Sequence, residues 1–471
     1  MELRQELKPF FEPETVAIVG ATKGIAFGAG LPLCLSENGY RERLRLVNPR
    51  EKEIIGLPVY PDVEAIPGKV DLAIVVVPAP ICLPVFQACA RKGIKSIILE
   101  AAGFSETGPE GKKREEELKE FARSAGIRVI GPNCIGVVNT ANRFVSTQVP
   151  PESLTPGPIS VVAQSGVFGN IILDWGPENG VRFSKVITIG NRMDVGELDL
   201  IEYLADDPDT KVIVLYLEGV QNGRAFLSLA ARVTRKKPIL ILKSGRSEVG
   251  RKAVLSHTGS LSGDDAVFDA AFRQCGVIRS DDFYGLFDLA RAFSVAPLPQ
   301  GKRTGIVTST GSIGVQTADA CVSQGLSIPD ITERSRNEMN KIAPAWMSIR
   351  NPLDVGPSGL FGDGMNVILT DPDLDGIIGI PVIPSFVAKE FVRQGVPPAS
   401  LVGNLQKELL GPGGKTLLLA PIGNRAWIEI LREAFGDRVP IISSPENAAR
   451  VMAALVRYRE YLEKSKEKGD K

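Results

Sequence analysis

The sequence predicts an α/β protein built from three doubly wound domains. Three segments begin alike: a short run rich in β-branched residues reaches a turn of Gly, Ser or Thr, and a helix-compatible stretch follows. These segments start at Thr15, Ile159 and Thr304. Strand, small-residue turn and helix form the opening unit of a doubly wound parallel sheet, and ligands collect at the carboxyl ends of such strands. The chain has 471 residues, more than a single hydrophobic core usually serves.

Clusters of Pro and Gly indicate where the domains are joined. One cluster covers 150–158 and a second covers 297–301. Between them, short apolar runs alternate with helix-compatible stretches, the βαβ rhythm of a parallel sheet. The expected parts are domains at 1–150, 159–298 and 303–463, and a solvated charged tail at 464–471.

The charge balance argues against a nucleic-acid partner. The 55 Lys and Arg residues equal the 55 Asp and Glu residues, so the formal net charge is zero. General nucleic-acid binding needs a positive footprint, which this composition does not supply.

One apolar stretch is long enough to suggest a membrane span. It runs from Leu72 to Ala90, but Pro78, Pro80 and Pro84 interrupt it. The stretch therefore predicts a buried strand, a turn and a helix, and no membrane partner. The first residues carry alternating charges and no apolar core of a signal peptide, so we expect a cytoplasmic protein.

The cysteine and histidine content argues against a metal centre. Six cysteines are scattered without a CxxC pair, which disfavours a disulfide framework and a zinc site. The chain contains one histidine, His257, so a His-rich metal site is excluded. We expect no metal on this chain.

The first glycine-rich turn is a candidate phosphate-binding turn. It covers Gly20–Gly24, and Gly28 and Gly30 follow. Glycines between a strand and a helix let the backbone approach a phosphate. A dinucleotide enzyme would also place Asp or Glu near the end of the second strand, but Asn48 and Arg50 occupy that region. This pattern disfavours NAD and suits coenzyme A. The alternative is that the glycines serve only tight packing.

The segment 243–263 surrounds His257 with Ser, Gly and Thr and is predicted as a mobile loop that presents one imidazole. Basic side chains in this segment could neutralise an anion. They are Lys243, Arg246, Arg251 and Lys252. The alternative is a solvated surface loop with an incidental histidine.

Two further turns and one carboxylate favour a reactive role for His257. The turns 164–167 and 310–313 offer backbone N–H groups at predicted helix starts, where anions bind. Glu218 closes a predicted strand and could accept the proton on one imidazole nitrogen, leaving the other free to attack. The alternative for Glu218 is an exposed charge at the end of a strand.

These features occur together with a set of longer motifs along the whole chain. They include VAIVGATKG, RLVNPREKEIIGLPVYPDV, GPNCIGVVNT, VVAQSGVFG, ITIGNRMDVGELDLIEYLADDP, YLEGVQNGRAF, KPILILKSGRS, SHTGSLSG and STGSIGVQTADA. In this combination the chain resembles the α subunit of the ADP-forming acetyl-CoA synthetases (acetate–CoA ligases), relatives of succinyl-CoA synthetase. The resemblance implies a Rossmann-like CoA-binding domain followed by two flavodoxin-like ligase domains.

The resemblance also implies roles for individual residues. His257 matches the phosphohistidine, Glu218 its stabilising carboxylate, and Asn133 the loop beside the acyl and phosphate site. The implied phosphate-binding residues are Ser165, Gly166, Val167, Gly311, Ser312 and Ile313. The implied CoA-binding residues are Gly20, Ala21, Thr22, Lys23, Asn48, Pro49, Val77, Pro78, Ala79 and Glu100.

A partner is implied as well, because the family uses an ATP-grasp module that no part of this sequence matches. We expect that module, with ADP or ATP and Mg²⁺, on a separate β subunit in an α₂β₂ heterotetramer. The implied reaction interconverts acyl-CoA, phosphate and ADP with a carboxylate, CoA and ATP, through acyl phosphate and phosphohistidine on a swinging loop.

Three alternatives remain open from the sequence. The chain could be a CoA-sensing or scaffolding protein with an idle histidine, a subunit of a succinate-type CoA ligase, or an NAD-linked reductase. The residues do not determine which carboxylic acid is preferred or whether ADP or GDP is used.

Overall fold

The computed structural model describes residues 2–23, 29–148, 151, 153–258, 264–382, 384–395, 405, 414–436 and 438–469. The chain forms two compact units, Met1–Arg279 and Ser280–Lys471. Three sheets of mainly parallel strands, two in the first unit and one in the second, confirm the predicted α/β class.

The first sheet carries seven strands in the order β3-β4-β2-β1-β5-β6-β7. Its strands are β1 (Val16–Val19), β2 (Leu44–Val47), β3 (Glu53–Ile54), β4 (Leu57–Tyr60), β5 (Leu72–Val75), β6 (Ser96–Leu99) and β7 (Arg128–Ile130). The central strand β1 pairs with β2 on one side and β5 on the other, both parallel. This is the point where the strand order reverses, so a ligand crevice is expected at its carboxyl edge.

Helices cover the first sheet. They are α1 (Glu2–Leu7), α2 (Gly30–Leu35), α3 (Cys82–Lys92) and α4 (Pro109–Ser124), with shorter turns at Lys8–Phe10, Ser36–Tyr40, Arg41–Arg43, Ala79–Ile81 and Ser105–Thr107. Helix α3 ends at Gly93 in the left-handed conformation, and α4 begins with a proline in its first turn. The stretch Leu72–Ala90 forms strand, turn and helix, which confirms that prediction. No helix in the described part of the chain is long and apolar enough to cross a membrane.

The second sheet carries seven strands in the order β14-β13-β12-β10-β11-β8-β9. They are β8 (Val137–Asn139), β9 (Phe144–Val145), β10 (Ile159–Ala163), β11 (Phe183–Thr188), β12 (Val212–Leu217), β13 (Ile239–Lys243) and β14 (Ile278–Arg279). Its helices are α5 (Gly166–Glu178), α6 (Glu197–Ala205), α7 (Gly223–Val233), α8 (Glu248–Thr258) and α9 (Asp265–Cys275). The order reverses at β10, so the carboxyl edge of β10 is a second expected ligand position.

The first two sheets share one hydrophobic core, so that Ile18 of β1 and Val162 of β10 belong to the same buried cluster. The rings of Phe11 and Tyr203 stack at a centroid distance of 4.3 Å. The hairpin β8–β9 pairs antiparallel with β11, although its sequence was expected within the domain 1–150. The boundary predicted between the first two domains stays a prediction, because both lie in one compact unit.

The second unit contains a parallel sheet in the order β16-β15-β17-β18. Its strands are β15 (Thr304–Thr308), β16 (Leu353–Asp354), β17 (Gly376–Ile380) and β18 (Thr416–Leu419). Its helices are α10 (Phe283–Val295), α11 (Gly311–Ser323), α12 (Glu333–Asn340), α13 (Phe361–Thr370), α14 (Ser385–Arg393), α15 (Arg425–Phe435) and α16 (Pro445–Gly469).

Two elements of this unit differ from the sequence expectation. Helix α10, which the sequence assigned to the domain 159–298, packs against α16, and its Asp288 accepts a 3.1 Å hydrogen bond from Asn447. The residues expected as a separate tail from 464 continue α16 as far as Gly469. Their Lys and Glu side chains are good helix formers and extend a helix that is already nucleated.

Candidate active site

The turn after β1 is shaped by Gly20. This glycine has φ +96°, and a Cβ there would lie 2.9 Å from Cγ1 of Val77. Its N–H donates to the carbonyl of Val47 at 2.9 Å. A side chain at Gly20 would therefore be strained and would also fill the space between β1 and β5. The turn packs Gly20 against Val77, and the approach of this backbone to a ligand stays a prediction.

Asn48 closes the turn from the side of β2. Its Nδ2 donates to the carbonyl of Ala21 at 2.8 Å, and its Oδ1 accepts from the N–H of Arg50 at 2.8 Å. A dinucleotide enzyme would hold the ribose with a carboxylate at this position. Here the amide of Asn48 instead forms hydrogen bonds to the backbone of Ala21 and Arg50. Thr22 has a buried hydroxyl with no hydrogen-bond partner in the described part of the chain, so it could bind a ligand atom. Lys23 pairs with Glu51 at 2.8 Å.

The residues after β5 lie at the same edge of the sheet. Val76 donates its N–H to the carbonyl of Val19 at 3.0 Å, which places 77–79 beside the first turn. Pro78 precedes the short turn Ala79–Ile81. The structure therefore brings the candidate CoA residues after β1, β2 and β5 together. The glycines at 24 and 28 lie outside the described residues.

Glu100 follows β6 and is only 1% exposed. Its N–H donates to the carbonyl of Val75 at 3.1 Å, and its Oε2 accepts from Nε2 of Gln148 at 2.7 Å. Its Oε1 has no hydrogen-bond partner among the described residues. Burial raises the pKa of the Glu100 carboxyl to about 8. This carboxyl therefore carries its proton near neutral pH, a property that the sequence pattern did not indicate.

Asn133 belongs to the loop between β7 and β8. It has φ +58°, a conformation that asparagine tolerates better than most residues. Its N–H donates to the carbonyl of Ala101 at 3.0 Å, and its Nδ2 lies 3.4 Å from Oδ1 of Asn191. A Cβ on Gly190 would come within 2.4 Å of the carbonyl oxygen of Asn133. The loop after β7 and the turn after β11 are thus in close contact.

Asn191 is a site residue that the sequence analysis missed. Its Nδ2 lies within hydrogen-bond distance of Oε2 of Glu106 (2.7 Å), Oε2 of Glu115 (2.9 Å) and Oγ of Ser105 (3.1 Å). Burial acts to raise the pKa of Glu106, but the hydrogen bonds from Asn191 and from backbone N–H groups hold that pKa below its ordinary value. The only signal was the motif GNRMDVG, whose contacts lie 76 to 86 residues away along the chain.

Helix α5 begins at the carboxyl edge of β10. The side chain of Ser165 caps it by accepting from the N–H of Phe168 at 3.4 Å. A Cβ on Gly166 would lie 2.7 Å from Cγ1 of Ile135, so the helix start lies against the loop of Asn133. The first N–H groups of an α-helix have no partner within the helix and favour an anion. The structure therefore brings Ser165 and Gly166 next to the Asn133 loop, and Val167 follows in the first turn.

Glu218 follows β12 and is only 3% exposed, so it is not the solvated strand-end charge that remained open as an alternative. Its N–H donates to Oε1 of Gln164 at 2.9 Å. Gln164 in turn donates its N–H to the carbonyl of Tyr216 at 2.9 Å. Because Gln164 immediately precedes the cap of α5, Glu218 lies beside the start of that helix.

The segment around His257 corrects one expectation. Residues 248–258, expected within a mobile loop, form helix α8, and the backbone of His257 lies in its last turn. Ser247 accepts from the N–H of Gly250 at 3.0 Å, and Glu248 pairs with Lys252 at 2.9 Å. A local cap and an i,i+4 ion pair stabilise a helix despite the small residues. The imidazole of His257 and residues 259–263 lie outside the described part.

Helix α8 contacts the turn Ser105–Thr107, the same turn to which Asn191 donates a hydrogen bond. The basic side chains expected around His257 have other contacts. Lys243 is buried with its Nζ 4.6 Å above the ring of Phe268, and burial lowers its pKa. Arg246 lies 3.6 Å from Asp265. That these basic side chains neutralise an anion stays a prediction.

The third candidate turn lies in the second unit. Helix α11 begins at Gly311 after Thr310, whose Oγ1 lies 3.3 Å from Oγ of Ser312. A Cβ on Gly311 would lie 2.8 Å from Oδ2 of Asp354. Gly311, Ser312 and Ile313 thus occupy a helix start as predicted. Their role toward His257 stays a prediction.

In the described part of the chain, no group of three or more His, Cys, Asp or Glu side chains could hold a metal ion. The residues that could bind a ligand are instead backbone N–H groups, amides, hydroxyls and the carboxyls of Glu100 and Glu218. This set suits a phosphorylated organic molecule and an inorganic anion.

Two protein-family models match parts of this chain. Residues 14–140 match a CoA binding domain, and residues 156–293 match a succinyl-CoA ligase like flavodoxin domain. Over residues 14–140 and 156–293 the chain is therefore similar to a CoA binding domain followed by a succinyl-CoA ligase like flavodoxin domain.

Two relatives extend the likeness. The chain is 36% identical to the α subunit of acetate–CoA ligase (ADP-forming) I of Pyrococcus furiosus, over 98% of this chain and 100% of the relative. It is 38% identical to acetate–CoA ligase (ADP-forming) II of Archaeoglobus fulgidus, over 79% of this chain and 57% of the relative. It thus spans little more than half the length of that relative.

The solved structure of the dinucleotide forming acetyl-coenzyme A synthetase 1 of Ca. Korarchaeum cryptofilum, in complex with phosphate and ADP, has a TM-score of 0.85 and 30% identity. The match covers 98% of both chains. These findings confirm the resemblance that the motifs indicated. The chain belongs to the family of the ADP-forming acetate–CoA ligases.

Proposed function

We propose that the chain is the α subunit of an ADP-forming acyl-CoA synthetase that acts on acetyl-CoA. The enzyme would interconvert acyl-CoA, phosphate and ADP with a carboxylate, CoA and ATP. The observation that carries this proposal is the buried carboxylate of Glu218 beside the start of α5, in a chain with a single histidine. A carboxylate that orients an imidazole and a helix start that binds a phosphoryl group are the two parts that a phosphohistidine needs.

CoA would bind at the carboxyl edge of the first sheet. The turn at Gly20, the amide of Asn48 and the residues 77–79 meet there, and the hydroxyl of Thr22 is left without a partner in the described part of the chain. The match of residues 14–140 to a CoA binding domain supports this position. Position 48 holds an amide, where an NAD-binding enzyme would hold a carboxylate, and this supports CoA over NAD.

In the first chemical step, a phosphate oxygen bonds to the carbonyl carbon of the thioester, and the carbon–sulfur bond breaks. The leaving sulfur takes a proton, for which we propose Glu100 as the donor because burial keeps its carboxyl protonated near neutral pH. The products are acyl phosphate and CoA. Asn133 and the first turn of α5 would hold the phosphate during this step.

In the second step, a ring nitrogen of His257 bonds to phosphorus and the carboxylate leaves. Glu218 would accept the proton on the other ring nitrogen, and Ser165 and Ser312 with their helix starts would offset the negative charge. The loaded histidine would then transfer the phosphoryl group to ADP, and the reverse sequence would activate a carboxylate with ATP.

The acceptor ADP, with Mg²⁺, would be bound by an ATP-grasp β subunit in an α₂β₂ assembly in the cytoplasm. The support is that the Pyrococcus furiosus relative is named as an α subunit and is matched over its whole length. The Archaeoglobus fulgidus relative is longer than this chain, which matches 57% of it.

Labelled phosphate separates this function from the alternatives. The chain is incubated with acetyl-CoA and [³²P]phosphate, with and without its partner subunit, and the protein-bound label is tested for acid lability and alkali stability. We expect acid-labile label in the wild type and none in His257→Ala. Val249→Ala is the control, because Val249 lies on the same helix and is 78% exposed.

Four outcomes would overturn the proposal. Equal label in His257→Ala would exclude His257 as the carrier. No label under any condition, together with tight binding of CoA, would indicate a CoA-binding scaffold instead. A faster reaction with succinyl-CoA than with acetyl-CoA would indicate a succinate-type ligase. Binding of NADH in place of CoA would indicate a reductase.

A further inference from the structure

We propose that Arg192 and Glu197 form a positioning pair that holds the turn carrying Glu218 in the geometry needed for phosphorylation of His257. This inference rests on the proposed function, because it assigns a task to Glu218 in that reaction. Neither residue is expected to touch a substrate. Both act through the backbone that follows β12.

The contacts of the pair are specific to this turn. Nη1 of Arg192 donates to the carbonyl of Gly219 at 2.9 Å and to Oε2 of Glu197 at 3.1 Å. The other oxygen of Glu197, Oε1, accepts from the N–H of Gln221 at 3.1 Å. Nε2 of Gln221 lies 3.4 Å from the carbonyl oxygen of Arg192. Arg192 thus binds Gly219, one residue after Glu218, and Glu197 binds Gln221, three residues after it.

A third contact holds the first residue of the turn. The N–H of Glu218 donates to Oε1 of Gln164, which lies between β10 and α5. The residues Glu218, Gly219 and Gln221 are therefore each bound by a buried side chain from a neighbouring element. The backbone from which the Glu218 side chain extends is thus held at three points, one of them Gln164 at the start of α5.

The pair is buried, so its role is not that of a solvated surface ion pair. The Arg192 and Glu197 side chains are 4% and 2% exposed. Removing two charges from water is costly, and a buried ion pair is often no more stabilising than apolar residues of similar volume. Arg192 also has φ +60°, an unfavourable conformation for an arginine. Backbone strain and a costly ion pair at one place are typical of residues retained for the geometry of a site.

The position of Arg192 in the chain adds a second link. Its neighbour Asn191 contacts Glu106 and Asn133, on the CoA-binding side of the first unit. Arg192 contacts the Glu218 turn. One short turn after β11 therefore joins the loop proposed to hold phosphate and the carboxylate proposed to orient the imidazole.

The test measures the rate of acid-labile labelling from acetyl-CoA and [³²P]phosphate in the full chain with its partner subunit. We expect Arg192→Met and Glu197→Gln to lower this rate about 10- to 100-fold, as small displacements of a reacting group do, with the KM for acetyl-CoA unchanged. The matched control is Lys185→Met, which removes another buried ion pair of the same sheet, 2.7 Å from Asp207, and should leave the labelling rate unchanged.

A double variant separates positioning from general stability. If Arg192 acts through Glu218, then Arg192→Met should not lower the labelling rate further in a Glu218→Gln background. If Arg192 has only a structural role, the two substitutions should lower the labelling rate additively. Should the single variants fail to fold, Arg192→Met/Glu197→Leu removes both charges together and leaves no unpaired ion.

If the wild type is labelled and the folded Arg192 and Glu197 variants are labelled at the same rate, this inference is overturned. The proposed function then stays intact. An equal loss in Lys185→Met would also overturn the inference, because the effect would then belong to any buried ion pair. No labelling of the wild type would instead contradict the proposed function itself.

Discussion

The side-chain oxygen of Gln164 accepts a hydrogen bond from the backbone N–H of Glu218 at 2.9 Å. This bond joins the carboxyl edges of β10 and β12, two neighbouring strands. It fixes the position of the Glu218 turn relative to Ser165, the cap of α5. Ser165 and Glu218, which the sequence proposes for the same reaction, lie 53 positions apart. The side-chain amide of Gln164 connects them.

Replacement of Gln164 by Ala is expected to lower both stability and reactivity. It leaves the buried N–H of Glu218 without its acceptor, which costs about 1–3 kcal/mol in the free energy of unfolding. It also releases the Glu218 turn, so the rate of histidine labelling should fall. Urea unfolding and the labelling assay measure the two effects. An unchanged labelling rate in a destabilised variant would show that the bond only supports the fold.

Replacement of Gly20 by Ala is expected to weaken binding of CoA. The new Cβ would lie 2.9 Å from Cγ1 of Val77, within the turn proposed to hold CoA. Gly39→Ala is a matched control, because Gly39 also has a positive φ, +89°, but no atom within 4 Å of its Cβ position. Both variants should lose about 1–2 kcal/mol of stability because alanine is strained at positive φ, and Gly20→Ala should lose more because of its contact with Val77. Isothermal titration with CoA should show a loss of affinity in Gly20→Ala alone, and equal affinity in both variants would contradict the proposed site.

Glu100 is expected to make stability depend on pH. Its pKa is raised in the folded state to about 8 from 4.5, so the folded chain binds this proton more tightly than the unfolded chain does. Its favourable contribution is complete below the unfolded pKa and is lost as pH rises toward 8. Relative to Glu100→Gln, the wild type should lose about 1.4 kcal/mol of stability per pH unit in this interval.

The measurement for Glu100 is the difference in unfolding free energy between wild type and Glu100→Gln from pH 5 to pH 9. A difference that does not change with pH would show that the carboxyl is ionised in the folded protein. The proposed proton transfer to the CoA sulfur would then lose its basis. Formation of acyl phosphate should also be slower in Glu100→Gln.

Asn191→Asp is expected to be more harmful than Asn191→Ala. The amide of Asn191 donates toward the carboxylates of Glu106 and Glu115, and a third carboxylate there would repel both. Thermal unfolding should give a lower Tm for Asn191→Asp than for Asn191→Ala at low salt. The gap should narrow at high salt, because these side chains are partly solvated and salt screens their repulsion. Equal Tm values at low salt would contradict the electrostatic account.

Individual strands could be predicted from local sequence, but their order in the sheets was not predicted. Buried runs such as Val16–Val19 and Ile159–Ala163 are rich in β-branched residues and end in small-residue turns. The interrupted apolar stretch from Leu72 was recognised as strand, turn and helix because its prolines exclude a continuous helix.

Other features depend on contacts that local sequence does not contain. The hairpin β8–β9 pairs with β11, about 40 residues further along the chain, so its sheet was not predictable from its own residues. Residues 248–258 were expected as a loop from their small side chains, but the cap at Ser247 and the Glu248–Lys252 pair stabilise a helix. Asn191, Arg192 and Glu197 lie in the motif ITIGNRMDVGELDLIEYLADDP, but their tasks are recognised only through their partners in space.

The central claim is that His257 is a transient carrier of phosphate, and because the chain contains one histidine the claim has a single readout. The most direct measurement is the ³¹P NMR spectrum and phosphate stoichiometry of the chain after reaction with acetyl-CoA and phosphate in the presence of its partner subunit. The account predicts one acid-labile phosphohistidine per chain, located at residue 257 by mass spectrometry. Full turnover without phosphohistidine, or with stable phosphate on a serine or threonine, would contradict it.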